Sequence, residues 1–359
     1  MRAILQKRYG EPREVLELGE IGVPAVGATD VLVRVEATSV HADVWHAVVG
    51  RPILARAMGG WSRPRRPVPG TDLAGVVEAV GEGVTRFRPG DAVFGESDLT
   101  MGWRHGGTFA ELAAVPEGAL ETKPETVSFE QAAAVATSGH IALLNTRGSA
   151  AVEPGHRVLV NGAGGALGSI LVQLVHARGA TVTAVDREDK LPMLRGLGAD
   201  RVVDYRREDV TLGGGAYDLI LDVVSTLTLK EAKRVLAPGG IYVRIGHDRY
   251  GAAGGPVLGT LPAFFGLVAR SPFDRHLPKL GSAPRLSTPE ILRELSALLE
   301  DGTLSPVIDR RYPLAEAGEA MSYLQAGGGP GRIVLLPQAL VPGPGIRDTV
   351  ECRGRPTGC

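Results

Sequence analysis

The chain has 359 residues, enough for two domains that each bury a core. Lys and Arg (39) nearly balance Asp and Glu (40), giving a net charge of −1, which argues against nucleic acid as a partner. No apolar run approaches the ~18 residues of a membrane span, and the opening MRAILQKRYG lacks the apolar stretch of a signal peptide, so a cytoplasmic protein is expected.

Residues 1 to about 125 read as β-rich. Val31 to Val35, Gly75 to Val80 and Ala92 to Phe94 are short apolar or alternating runs, separated by turn signals such as Arg88-Pro89-Gly90-Asp91. This pattern suits a small barrel or rolled sheet. The arginine-bearing stretch between Gly50 and Pro69 has no period and reads as a solvated loop, with a lid or phosphate-binding surface as the functional alternative. At Ser128 the character changes: Ser128-x-x-Gln131 is a capping box that opens an alanine-rich helix over 129 to about 147.

The helix leads into RVLVN (157 to 161), a buried parallel strand, followed at once by GAGGALG (162 to 168). Gly162, Gly164, Gly165 and Gly168 allow a sharp turn, close approach of a ligand and tight packing of the next helix. Leu167, Ile170, Leu171, Leu174 and Val175 give that helix one apolar stripe. Its first amides, around Ala166 and Leu167, face the glycine turn, where a pyrophosphate is stabilised. Gly179 ends the helix, and the strand Thr181 to Val185 delivers Asp186, completing a dinucleotide-binding pattern.

Strand and helix then alternate: helix Leu191 to Leu197, strand Arg201 to Val203, strand Leu219 to Val223, helix Leu229 to Leu236 stopped by Pro238-Gly239-Gly240, and strand Ile241 to Ile245. Such alternation gives an α/β fold with a doubly wound parallel sheet. Leu258 to Val268 is apolar enough for a buried or interface helix. Ser287-Thr288-Pro289-Glu290 starts a helix that runs to Gly302, Leu314 to Leu324 marks another, and Arg332 to Leu336 is a final strand. From Pro337 the chain reads as a disordered tail (338–359) carrying the only cysteines, Cys352 and Cys359, as idle thiols.

Ligands of such sheets bind beyond the carboxyl ends of the strands, which brings in Asn161, the segment Asp222, Val223 and Ser225, and Gly246-His247-Asp248. Asp186 should accept from the ribose hydroxyls of NAD and repel the 2′-phosphate of NADP, whereas Arg187 and Lys190 could pair with that phosphate. NADH is slightly favoured, and NADPH stays open.

These residues and their order resemble the medium-chain dehydrogenase/reductase superfamily, specifically its zinc-independent quinone oxidoreductase branch. The motifs that carry the likeness are DVLVRV from Asp30, PGTDLAGVV from Pro69, FRPGD from Phe87, VLVNGAGGALG at 158 to 168, LGADRVVDY at 197 to 205, and PVIDRRYPLAEAGEAMSYL at 306 to 324. The resemblance implies a GroES-like β-rich catalytic domain formed by 1–125 and 281–337 around an inserted Rossmann domain, 126–280. It also implies a homodimer, NAD(P)H as cofactor, and Tyr205 among the cofactor contacts.

Zinc relatives carry a cysteine where this chain has Val40, and Gly-His-Glu where it has Gly70-Thr71-Asp72. Valine and threonine supply no realistic zinc ligand, so no metal is expected. The branch's Ser-Val-Asn is here Ser39-Val40-His41, and His41 is the leading candidate for polarising a substrate oxygen. Asp43, His46 and Trp45 rank behind it. Ile141 replaces the branch's usual threonine, leaving Thr137 or His140 as substitute nicotinamide contacts. The expected reaction is hydride transfer from NAD(P)H to the activated C=C of an enone or enal, or to a quinone, with a small electrophile as substrate and no nucleic acid or membrane as partner. Alternatives are reversible alcohol/aldehyde oxidoreduction, and a low-turnover nucleotide sensor or RNA-binding protein.

Overall fold

Two sheets carry the architecture of the computed structural model, which describes residues 1–97, 107–212, 216–246, 250–279, 281–282 and 286–338. His247, Asp248 and residues 339–359 of the expected tail lie outside the described residues. In the five-stranded parallel sheet, strand Arg157–Asn161 is central. Thr181–Asp186 and then Arg201–Asp204 lie on one side of it, Tyr217–Asp222 and then Leu236–Arg244 on the other. Val158, Leu159 and Val160 are fully buried, as expected of a strand covered on both faces. The winding reverses between Arg157–Asn161 and Tyr217–Asp222, so the crevice of the sheet opens where Asn161 pairs with Asp222.

The second sheet is built around the long strand Asp30–Val40, which pairs antiparallel with Asp72–Val80 and Leu112–Pro116. Ala92–Glu96 and Leu120–Thr122 extend one side. On the other side the late strands Arg332–Leu336 and Ile308–Pro313 join through the register Ile333 with Val40. Residues from both ends of the chain therefore share one sheet. A separate pair, Arg2–Gln6 with Leu16–Glu20, precedes it.

Helix Phe129–Asn145 joins the two sheets, and its capping box between Ser128 and Gln131 is formed. Its alanine content has a packing reason. Ala132, Ala133, Ala134 and Ala136 are buried, and a Cβ on Gly139 would come within 2.5 Å of Leu295. Small residues let the helix approach strand Asp72–Val80 on one side and helix Ala166–Ala177 on the other. One apolar core consequently runs from Ala74 and Phe94 through Ala133 and Leu143 to Val158, Val160 and Leu219.

Three expectations need correction. Strand Leu236–Arg244 runs through Pro238-Gly239-Gly240, because it is an edge strand of the sheet, where a missing N–H costs little. Of the two readings of helix Leu261–Arg270, the buried one is corrected and the interface one stands untouched: the helix buries no residue, and Phe264 and Phe265 are exposed. The stretch from Gly50 contains the short turns Ile53–Ala55 and Arg56–Gly59, and it is preceded by a helix, Ala42–Val49, whose one local signal is Gly50, its left-handed C-cap.

Candidate active site

The glycine turn is shaped by close approach. Gly162 has φ 81°, and a Cβ there would lie 2.5 Å from Val224; one on Gly168 would lie 2.3 Å from the Gly162 carbonyl. Gly165, by contrast, faces open space: a Cβ added to it meets nothing within 4 Å. It caps helix Ala166–Ala177 through its backbone alone, so no side chain occupies the amides at Ala166, Leu167 and Gly168. An uncapped helix end behind a glycine without obstruction fits a dinucleotide pyrophosphate.

Asp186 ends the adjacent strand with one oxygen accepting from the Gly164 amide at 2.7 Å and the other from the Arg187 amide at 2.8 Å. Lys190 lies 3.8 Å from the same carboxylate, and both side chains are nearly buried. Lys190 also donates to the Gly327 carbonyl at 3.4 Å and Arg187 to that of Gly328 at 2.8 Å. The expected contacts thus gather, together with a loop that sequence reasoning missed. The Gly331 amide of that loop donates to the Gly164 carbonyl at 3.0 Å. Its only signal was the run Gly327-Gly328-Gly329. Tyr205 sits exposed at the rim, its amide on the Asp186 carbonyl.

At the switch point the assignment of Asp222 as a direct contact needs correction. Asp222 is fully buried and accepts from Asn161 Nδ2 at 2.8 Å, Tyr242 Oη at 3.0 Å and the Leu227 amide at 3.0 Å. Burial pushes its carboxyl above the usual range despite these bonds. Its role is to orient Asn161, which also reaches Thr226. Val223 donates its amide to the Asn161 carbonyl. Ser225, at φ 53°, donates to the Gly246 carbonyl at 2.6 Å, and a Cβ on Gly246 would strike the Val223 carbonyl at 1.9 Å.

A second polar group lies where the long strand Asp30–Val40 passes into helix Ala42–Val49. His41 is the N-cap residue of that helix and is 6% exposed. Its Nε2 is 2.8 Å from Thr71 Oγ1, and its Nδ1 is 3.6 Å from Asp43 Oδ2 without a hydrogen-bond partner. Asp72, fully buried, accepts from Ser39 Oγ at 2.5 Å and from the amide and hydroxyl of Thr137. Thr137 Oγ1 also lies 3.2 Å from Glu96, which His140 Nδ1 meets at 2.6 Å. Thr137 and His140 are therefore hydrogen-bonded to buried carboxylates. Arg332, buried, donates to the Val40 and Ala134 carbonyls and to Ser138 Oγ.

His46 and Trp45 turn away from this group. His46 Nδ1 meets the Arg51 carbonyl at 2.8 Å, and Trp45 packs edge-on against His46 and Tyr250 while its Nε1 donates to Gln325. Trp45 belongs to the core beneath the site, whereas His46, also buried, borders a small cavity that Thr71 lines. Tyr250, at φ 55°, has its phenol pushed up to about 12, first by burial and then by Asp43, with Arg332 opposing. Among the described residues no three His, Cys, Asp or Glu side chains converge as a metal site would require.

With this geometry in view, comparison with known proteins places the chain. Residues 27–125 match the alcohol dehydrogenase GroES-like domain, and residues 197–335 match the zinc-binding dehydrogenase family. An NADPH-dependent alkenal/one oxidoreductase of Arabidopsis thaliana is 31% identical over 352 residues, covering 94% of this chain and 80% of the relative. The chain belongs to the medium-chain dehydrogenase/reductase superfamily. Within it, the chain falls in the quinone oxidoreductase branch. A human quinone oxidoreductase is 29% identical over 94% of this chain and 98% of its own length. A quinone oxidoreductase structure from Pseudomonas syringae superposes with a TM-score of 0.75 at 28% identity, covering 94% of this chain and 99% of that one. The α/β fold of a GroES-like unit with a parallel sheet is that of this superfamily, and the reductase is nicotinamide-dependent. No described helix is long and apolar enough to cross a membrane.

Proposed function

We propose that this reductase passes hydride from a nicotinamide dinucleotide to the activated C=C of an enone or enal, or to a quinone, without zinc. One observation carries the reading. Gly331 holds the Gly164 turn while the next residue, Arg332, holds the Val40 carbonyl beside His41, so consecutive residues tie the cofactor turn to the polar group. The relatives named for alkenal/one and quinone reduction support the substrate class. When bound, the dinucleotide supplies the hydride. The chain's own residues bind the pyrophosphate at Gly162–Gly168, hold the adenosine ribose at Asp186, and present donors to the substrate oxygen from the His41 group. Val40 and Thr71, at the ligand positions of zinc relatives, offer no metal donor set, so hydrogen bonds replace a Lewis acid.

Residues 1–125 and 281–337 would form the substrate-binding unit and 126–280 the cofactor unit, in a cytoplasmic homodimer. The Asp186 carboxylate favours NADH, since a 2′-phosphate would meet it before reaching Lys190. The test is oxidation of NADH and NADPH by metal-stripped protein with enones, quinones, aldehydes and alcohols. Turnover on enones or quinones without metal is expected, with the higher kcat/KM for NADH. Activity confined to alcohols with added zinc would overturn the reading.

A further inference from the structure

We propose that the Thr71 hydroxyl, backed by His41 and Asp43, is the group that hands a proton to the substrate oxygen. The proposal rests on the reductase reading above and names the atom at its acidic end. His41 itself cannot meet a substrate directly: it is 6% exposed, and its Nδ1 is sealed within the protein. Thr71 can. It is partly exposed and lines a cavity of about 60 Å³ together with Pro69, His46, Arg56, Arg66 and Tyr9. That space holds a water or two, or the carbonyl end of a larger molecule. The Thr71 hydroxyl therefore stands between this space and the imidazole, 2.8 Å from His41 Nε2.

The alignment continues behind the ring. Asp43 Oδ2 lies 3.6 Å from Nδ1, and Asp72 Oδ2 lies 4.0 Å from Nε2. The charged and titratable groups around His41 are these two carboxylates, Arg332 behind the Val40 carbonyl, and the Tyr250 phenol, which lies in the field of Asp43 and Arg332. In the imidazolium, Nε2–H donates to Thr71 Oγ1, and this turns the hydroxyl's own hydrogen towards the cavity.

The proton balance is simple. Hydride adds to the β-carbon of the enone, the C=C electron pair moves to form the enolate, and the Thr71 O–H bond breaks as the enol O–H forms. The His41 Nε2–H bond breaks as the Thr71 hydroxyl re-forms, leaving a neutral imidazole protonated at Nδ1. The nicotinamide has been oxidised and the alkene reduced, and the enol becomes ketone in water. After product leaves, water in the cavity returns a proton to Nε2 by the same hydroxyl.

Thr71→Val keeps shape and removes the hydroxyl; Thr71→Ser keeps the hydroxyl. Valine should lower kcat for 3-buten-2-one about 10²-fold while the dissociation constant of the reduced dinucleotide, read by its fluorescence, stays within about threefold. It should also abolish the solvent deuterium isotope effect on kcat, and serine should restore both. His41→Gln should lower kcat about as far as Thr71→Val does, because the hydroxyl loses the group that re-protonates it. Wild-type kcat and isotope effect in Thr71→Val would overturn the relay while leaving the reductase reading intact. A wild type inert towards every enone would overturn the reading instead. The His41 titration followed by NMR then tests the relay separately: a midpoint unmoved by Thr71→Val overturns it, and a shifted one supports it.

Discussion

Asp186 and Lys190, four residues apart, face each other at 3.8 Å beside the glycine turn, with the Gly164 amide on one carboxylate oxygen and the Gly327 carbonyl near the ammonium. On the proposed reading, the carboxylate would neutralise the cation that otherwise attracts a 2′-phosphate, and would itself repel that phosphate. Asp186→Ser should free Lys190 and move the NADPH:NADH ratio of kcat/KM upward by about 10- to 100-fold, the worth of one charge-assisted hydrogen bond. Steady-state kinetics with both dinucleotides measures this, and an unchanged ratio would show that Lys190 does not reach the phosphate.

Gly331 links the glycine turn to the last strand. Its φ is 92°, a Cβ there would lie 2.3 Å from the Val307 carbonyl, and its amide holds the Gly164 carbonyl. Gly331→Ala should lower stability by about 1–3 kcal/mol. It should also raise KM for the dinucleotide more than it lowers kcat, because the turn loses its support while the His41 group keeps its own. Urea unfolding and initial rates together test this, and equal proportional losses in both constants would contradict it.

The cofactor half was legible because its chemistry is local. Arg157 to Asp186 is one strand, one turn, one helix and one strand, each announced by period or by glycine, and the strand Arg332–Leu336 falls where its apolar run begins and ends. The substrate half was not legible in this way, because its polar contacts join residues far apart in sequence. Thr137 and Asp72 are 65 positions apart and Arg332 and Val40 are 292 apart, and neither pair has a periodic signature. His41 was found through the family motif, whereas Thr71 was noticed only as an unsuitable zinc ligand. Trp45 is turned into the core by helix Ala42–Val49, a short run with no recognisable start in the sequence.

Asp222 gives the fold a pH dependence whose sign follows from its burial. Its folded pKa is raised, with burial outweighing the hydrogen bonds from Leu227, Asn161, Tyr242 and Thr226, so the native state binds its proton more tightly than the unfolded chain does. The stability contributed is full below the unfolded carboxyl value of about 3.9 and is lost as pH rises through the higher native value. Asp222→Asn does not titrate. The urea midpoint of wild type relative to this variant should therefore fall between pH 4 and pH 7, and a difference independent of pH would show that Asp222 is ionised in the native state at both.

Arg332 is a cation placed wholly inside the protein, and desolvation pulls its guanidinium below the usual arginine value even with Asp72, Asp43 and Tyr250 nearby. What retains it is geometry. Its nitrogens reach the Ala134 carbonyl and Ser138 hydroxyl on one helix and the Val40 carbonyl on a strand, a fan that a single ammonium cannot span. Arg332→Lys should therefore leave at least one buried acceptor unpaired and cost about 1–3 kcal/mol by chemical denaturation. Arg332→Met should cost more, since all three acceptors lose their donor and Asp72 loses a nearby positive charge. Both variants should also weaken turnover more than dinucleotide binding, because Val40 carries His41 and the glycine turn is held separately by Gly331. A lysine variant as stable as wild type would show that one donor satisfies the site, and the fan would then have no energetic role.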